Sequence, residues 1–370
     1  MQKIIAKTNV KEMSDVFFAP GRTELAGNHT DHQKGRVIAA AVDTGLTAHC
    51  TKNNDNVIRI RSEGFGEDEI RLRYLEVKPE EFGTTRALVR GVAAAMQDLC
   101  LDIGGFDAVV TSNLPAGSGL SSSAAFAVLM GKIFNTYYNN GQLEPIVIAR
   151  LAQQAENQHF GKPCGLMDQL ASSLGSCVYV DFATDEILPI KTRFAEMGLT
   201  LCLTNTGGSH AGLETSYAMI PSDMTYIASL FDKGLLSEVD PAEFRSREWD
   251  VSYRPVRRAK HFFDENERVP KMRDALIRKD AETYMKLMNE SGRSSEQYLN
   301  NIVTSATGDT KLEEGLELSA KLLEGKGAWR VHGGGFAGCV QALMPNEYFE
   351  EYKKGMEARF GAGSCQVLKI

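Results

Sequence analysis

Side chains repeat every 2.0 residues along a strand and every 3.6 along a helix, so apolar spacing separates the two. In the first half of the chain this reads as strands at Val37–Thr51 and Val57–Ser62 and strict alternation through Ile70–Leu75. A helix at Arg86–Leu101, a strand at Phe106–Ser112, helices at Ser122–Tyr138 and Leu151–His159 and a strand at Val178–Phe182 follow. The second half gives a strand at Leu199–Thr204 and several helices between His210 and Leu323. Strands at Trp329–His332 and Cys339–Leu343, a helix at Glu347–Phe360 and a terminal strand close the chain. The order is α+β, without sustained βαβ regularity. A length of 370 residues calls for two packed domains. The polar stretch Ala183–Met197 is the expected junction, dividing residues 1–185 from 186–370.

Apolar residues make up 43% and charged residues 24%, ordinary values for a soluble globular protein. The net charge of −7 argues against nucleic acid as the main partner. It leaves room for a small anion held by local backbone dipoles. No apolar run reaches the roughly 18 residues that a membrane span needs, so no membrane partner is expected. The N-terminal stretch MQKIIAKTNVKEMSD lacks a signal-peptide apolar core. Seven cysteines without a C-x-x-C pair read as reduced thiols. A cytoplasmic location is expected.

The strongest local signal is LPAGSGLSSSAA at 114–125, between a strand and a helix. Small residues let the backbone approach a ligand, and free N–H groups at a helix start favour a phosphate. Taken alone, the same loop also reads as a flexible turn with a serine cap. It is not a Walker P-loop: Gly131-Lys132, Gly161-Lys162 and Gly325-Lys326 all lack the following Ser or Thr. HGGGFAG at 332–338 matches G-x-G-x-x-G, but the apolar CVQALM after it is strand-like, which removes the dinucleotide reading. Among the histidines, His29 and His32 stand out because they sit in the dense polar cluster FFAPGRTELAGNHTDHQKG at 17–35.

That cluster resembles the N-terminal signature of galactokinases, Pro-Gly-Arg followed by a Gly-acid-His-Thr-Asp run. PAGSGLSSSA resembles the nucleotide loop of the wider GHMP kinase family, and HGGGFAGC its third motif. AENQHFGKPCGLMDQLASSLG at 155–175 is similar to the galactokinase stretch around its catalytic aspartate. Further similarity runs through TNTGGSHAGLETSY, RRAKHFFDEN and KLMNESGRSS. The resemblance implies transfer of the ATP γ-phosphoryl group to the anomeric hydroxyl of a sugar, with galactose favoured, and Mg²⁺ as cofactor. It implies a two-domain GHMP kinase fold: an N-terminal ribosomal-protein-like mixed-sheet domain, a C-terminal ferredoxin-like domain and a cleft between them. A monomer is expected.

The implied roles fall residue by residue. Gly117, Ser118, Gly119, Leu120, Ser121, Ser122 and Ser123 would wrap the phosphates. Ser123 and Glu156 would ligate Mg²⁺, as hard oxygen donors suit. Alone, Glu156 reads as a solvated helix face. Asp168 would be the base and Arg22 its partner, keeping it ionised and stabilising the transferred group. Asn28, His29, Thr30, Asp31, Gly165 and Tyr217 would form the sugar site, with Asp31 accepting from ring hydroxyls. Alone, Tyr217 reads equally as a core tyrosine. The glycines of HGGGFAGC would pack against the phosphate loop.

Asn28 stands where galactokinases carry a glutamate thought to touch the sugar C6 hydroxyl, and Asp31-His32-Gln33 replaces Asp-Tyr-Asn. A non-acidic residue before His-x-Asp-His-Gln is similar to galacturonic acid kinases. The same chemistry on galacturonate, an amino sugar or arabinose is therefore the alternative, and an inactive sugar sensor a further one.

Overall fold

The computed structural model describes residues 15–64, 66–115, 118–208, 212–303 and 308–370. They divide into two compact units. The first comprises residues 15–22, 41–114 and 120–175, and the second residues 23–40, 118–119 and 176–370, counting described residues only. Two strands, β1 (Asp15–Ala26) and β2 (Arg36–Lys52), run through both.

In the first unit, β3 (Val57–Ser62) pairs antiparallel with β4 (Gly66–Arg71) and parallel with β5 (Phe106–Ser112). β5 continues antiparallel onto the Leu46–Lys52 end of β2. The helices are α1 (Thr85–Asp98), α2 (Ser122–Tyr138), α3 (Pro145–Ala155) and α4 (Met167–Leu174). Alternate strand positions Ile58, Ile60, Ala108 and Val110 join Leu88, Val92, Met96, Val128 and Ile133 in one buried cluster. Two-residue spacing on the strands and 3–4-residue spacing on the helices produce it. Phe106 and Phe134 meet edge to face within it at 5.4 Å. Truncating either to alanine would cost about 3–5 kcal/mol.

In the second unit, residues 36–40 of β2 pair antiparallel with β6 (Cys177–Asp181), which pairs with β7 (Glu186–Ile190). A four-stranded antiparallel sheet follows the order β11-β8-β10-β9. Its strands are β8 (Leu199–Asn205), β9 (Ala328–His332), β10 (Cys339–Pro345) and β11 (Cys365–Leu368). The helices are α5 (Glu214–Ser229), α6 (Pro241–Ser246), α7 (Arg254–Arg278), α8 (Ala281–Ser294), α9 (Lys311–Leu323) and α10 (Phe349–Phe360). The HGGGFAG segment is the turn between β9 and β10, a strand pair closed by glycines rather than a strand–helix crossover. Among the described residues no helix is long and apolar enough to cross a membrane.

The structure differs from the sequence reading at β1, β4 and α3, and it places β7 inside the polar stretch read as the junction. β1 is a strand that periodicity hides, because Pro20 and Gly21 interrupt the pattern; it pairs with β2. The alternation expected through Leu75 ends as a strand at Arg71, after which Leu72 turns inward. The helix expected at Leu151–His159 starts earlier, with Pro145 in its first turn where no N–H is missed, and ends at Ala155. A π-helical turn, Glu156–Phe160, follows.

Candidate active site

β1 delivers Arg22 to the start of α2. The backbone approach at Gly21 is tight: a Cβ there would lie 2.9 Å from the Leu120 carbonyl oxygen and 2.6 Å from Leu114 Cδ2. The Arg22 amide then donates to that carbonyl at 3.1 Å. Ser121 precedes α2 with φ +59°, and this left-handed turn aims its hydroxyl away from the helix. The Ser121 Oγ donates to Asp168 Oδ2 at 2.6 Å, and Arg22 Nε donates to Asp168 Oδ1 at 2.6 Å. Asp168 is in the first turn of α4, where the helix dipole favours a carboxylate. Its side chain is 16% exposed and that of Arg22 only 9%. Burial alone would raise the Asp168 carboxyl, but the Arg22 and Lys162 charges and the two hydrogen bonds outweigh it and hold it at about 2. The group is an anion at any physiological pH.

Glu156 is fully buried, which overturns its reading as a solvated helix face. Its register supplies the reason: Glu156 follows Ala152 by four residues and Ala149 by seven, so it continues the buried face of α3. Ser123 Oγ, from the first turn of α2, donates to Glu156 Oε1 at 2.6 Å. The Gln169 amide donates to Glu156 Oε2, and Lys162 Nζ lies 3.4 Å from Oε1. Arg22, Ser121, Ser123, Glu156 and Asp168, spread over some 146 positions of sequence, therefore form one polar cluster in the first unit. Gly165 sits half-buried in the loop leading to α4. Leu120 is buried in the core below the loop, and Ser122 is exposed at the first helical position.

The second unit holds the other expected group. Asn28 is 1% exposed and all four of its amide positions are engaged. Its Nδ2 donates to the Gly333 carbonyl at 2.7 Å and toward Glu24 at 3.3 Å. Its Oδ1 accepts from Ser295 at 3.2 Å and Asn301 at 3.1 Å. A bond to a sugar C6 group would require one of these to be given up. His29 bonds the Gly334 carbonyl through Nε2 at 3.0 Å, so that nitrogen carries the proton. Burial lowers His29 to about 4, leaving a neutral ring. The Thr30 hydroxyl lies 2.9 Å from the Gly27 carbonyl and 2.7 Å from that of Arg36, a structural role. Asp31 opens a short helical turn, and its carboxylate accepts from the His32 amide at 2.9 Å. The Tyr217 hydroxyl donates to the Gly335 carbonyl at 2.7 Å, and burial raises the phenol to about 12. His29, Asn28 and Tyr217 thus converge on the backbone of the 332–338 turn. The Cys339 thiol at the end of that turn reaches the Ser118 carbonyl of the serine loop at 3.4 Å. Gly119 follows with φ +68°, while Gly117 lies outside the described residues.

Residues 87–176 match the model for the GHMP kinase N-terminal domain, and residues 7–52 match the galactokinase galactose-binding signature. The galactokinase of Actinobacillus pleuropneumoniae serotype 3 is 32% identical, with 92% of this chain and 88% of that protein aligned. The galactokinase of Glaesserella parasuis serovar 5 is 30% identical over 91% of this chain and 87% of its own. The chain belongs to the galactokinase family. A crystal structure of Lactococcus lactis galactokinase complexed with galactose superposes with a TM-score of 0.82 at 24% identity, covering 96% of this chain and 93% of that one. The fold is accordingly the two-sheet α+β GHMP kinase fold expected from sequence. ATP is the co-substrate that membership in this kinase family brings.

For a galactokinase family member, three neighbours of the site went unseen in sequence. Gln169 sits beside Asp168 in the GLMDQ run, but nothing in that run shows its amide against Glu156. Lys162 belongs to a Gly-Lys pair dismissed for lacking a following Ser or Thr; here the serine comes from a different loop. The buried Glu24–Arg330 ion pair, 2.9 Å, stands beside Asn28 and carries no local sequence signal.

Proposed function

We propose that this chain transfers the γ-phosphoryl group of ATP to the anomeric hydroxyl of galactose, giving galactose 1-phosphate and ADP. The observation that carries the reading is Asp168, an anion gripped by Arg22 and Ser121 at the mouth of the serine loop, in a chain of the galactokinase family. Phosphoryl transfer asks the protein for positioning and charge stabilisation more than covalent chemistry. Asp168 orients the attacking hydroxyl by accepting its hydrogen bond and takes the proton as the new phosphorus–oxygen bond makes that hydroxyl acidic. A carboxylate held at about 2 is a weak base toward a free alcohol, so the proton moves late. Arg22 keeps Asp168 ionised and faces its charge toward the group in transfer.

Ser123 and Glu156 suit Mg²⁺: a hydroxyl and a carboxylate 2.6 Å apart are hard oxygen donors, and Mg²⁺ keeps its other positions for water and phosphate oxygens. Bound there, Mg²⁺ would neutralise charge on the β- and γ-phosphates. The loop Gly117–Ser123 would cradle those phosphates. In the sugar set, Asp31, His29, Gly165 and Tyr217 would face galactose, while Thr30 and Asn28 fix the turn that presents them. The reading takes residues 1–185 and 186–370 as the two domains, and the enzyme as a cytoplasmic monomer.

The test is ATP-dependent ADP formation with a panel of galactose, galacturonate, galactosamine and arabinose. Galactose should give the highest kcat/KM. A preference for galacturonate would replace the substrate and keep the chemistry; no ADP with any sugar would leave the sensor reading.

A further inference from the structure

We infer that Lys162 is an additional phosphate-binding cation of this site, held on the Ser123–Glu156 oxygen pair and delivered from there to the triphosphate of ATP. The inference rests on the nucleotide reading of that pair given above, and no part of that reading assigns Lys162 a role.

The chain builds the position locally. The π-turn Glu156–Phe160 ends at Gly161 with φ +75°, a conformation that glycine takes without strain. The chain reverses there, and the Lys162 amide donates back to the Glu156 carbonyl at 3.0 Å. That reversal lays the lysine stem over the turn. Its Nζ stands 3.4 Å from both Ser123 Oγ and Glu156 Oε1. Glu156 is fully buried, whereas the Lys162 side chain is 45% exposed. One end of the contact is therefore fixed in the protein and the other remains accessible to a ligand.

Distance and charge decide what such a lysine does. At 3.4 Å the ammonium makes a long contact with the carboxylate; a committed N⁺–H···O⁻ bond is about 2.7–2.9 Å. Glu156 already takes the short Ser123 bond and the Gln169 amide. Lys162 is held more loosely than either of these, on a flexible four-carbon stem with three rotatable donors. A triphosphate arriving at the serine loop offers a denser negative charge than the one carboxylate. Transfer of the ammonium to phosphate oxygens leaves Glu156 and Ser123 to bind a divalent cation. A Walker loop likewise sets a lysine beside a hydroxyl, from adjacent residues. Here the start of α2 supplies the hydroxyl, and the single stretch 156–162 supplies both the carboxylate and the lysine.

The experiment measures ATP and AMP binding by calorimetry in EDTA, without divalent cation, for the parent, Lys162→Met and Lys162→Arg. Removing one charge-assisted phosphate contact should weaken ATP binding about tenfold in Lys162→Met. AMP, which lacks the β- and γ-phosphates, should bind as in the parent, and Lys162→Arg should recover most of the ATP affinity. Circular dichroism checks that each variant is folded, and Lys162→Gln replaces Lys162→Met if the latter is not. Unchanged ATP affinity in Lys162→Met would overturn the inference. So would an equal loss for ATP and AMP, which marks a distorted loop. A parent that binds no ATP would sink the nucleotide reading and this inference together. A parent that binds ATP but phosphorylates no sugar would sink only the substrate reading.

Discussion

Replacing Asp168 by asparagine keeps the side-chain shape and removes its charge and basicity. Two effects follow, and the structure gives a size for each. The acceptor of the hydroxyl proton is lost, which general-base magnitudes put at about 10²–10⁴ in kcat. The buried Arg22 guanidinium and the Ser121 hydroxyl each donate at 2.6 Å to a different carboxylate oxygen. An asparagine has one carbonyl for the two of them, so one donor faces an amide NH₂. The stability cost follows from the carboxyl being held at about 2 against an ordinary 3.8. At 1.36 kcal/mol per pKa unit this amounts to roughly 2–3 kcal/mol at neutral pH. Asp168 sits below its unfolded value, so its contribution is complete above about pH 4 and is lost as pH falls through about 2. Urea midpoints of parent and Asp168→Asn should differ at pH 7 and converge toward pH 3, while coupled ADP release at pH 7 reads the kcat loss. Arg22→Met should not add to Asp168→Asn in a double-mutant cycle, because the pair acts as a unit. Undiminished turnover in Asp168→Asn would refute the base assignment. A urea gap that does not narrow with acid would refute the ion-pair account of stability.

Ser123→Ala deletes one hydroxyl and leaves Glu156 with one bond fewer; the Mg²⁺ concentration for half-maximal turnover should rise, with a stability loss of about 1–2 kcal/mol in urea. An unchanged Mg²⁺ requirement would remove Ser123 from the metal site. Asn28→Glu cannot donate to the Gly333 carbonyl and sets a second buried carboxylate beside Glu24, so a loss of about 3 kcal/mol or more in the urea midpoint is expected. Unchanged stability together with a shifted galactose-to-galacturonate ratio would return Asn28 to direct sugar contact.

Elements with clean periodicity were legible in the sequence: β3, β5 and α2 fall at the expected residues because burial on one face writes a repeat into them. β1 and β7 were not, since Pro20-Gly21 breaks one pattern and β7 lies inside the polar stretch read as a junction. The π-turn after α3 is invisible to a 3.6-residue repeat, and Glu156 reads as solvated because a lone carboxylate is rarely buried; its partners Ser123 and Gln169 come from other elements. No property of Arg22 or Asp168 in isolation joins them across 146 positions; the family resemblance named both, and the fold brings them to 2.6 Å. Asn28 shows where the motif stops informing. Its acceptors and donors lie up to 305 residues away, at Ser295, Asn301 and Gly333, so the replacement of glutamate reads in sequence as a change of substrate contact. In the structure it is a change in a buried network. Lys162 carries no signal in sequence because its serine partner lies in α2, 39 residues away, and not directly after the Gly-Lys pair.

Phosphorus NMR of the product tests the central claim most directly. The protein is incubated with ATP, Mg²⁺ and galactose, and the new phosphomonoester is followed with proton coupling. The account predicts stoichiometric ADP and one phosphorus signal coupled to the anomeric proton, lost when Asp168 is replaced by asparagine. A phosphomonoester coupled to the C6 protons, or ADP released without any sugar phosphate, would contradict it.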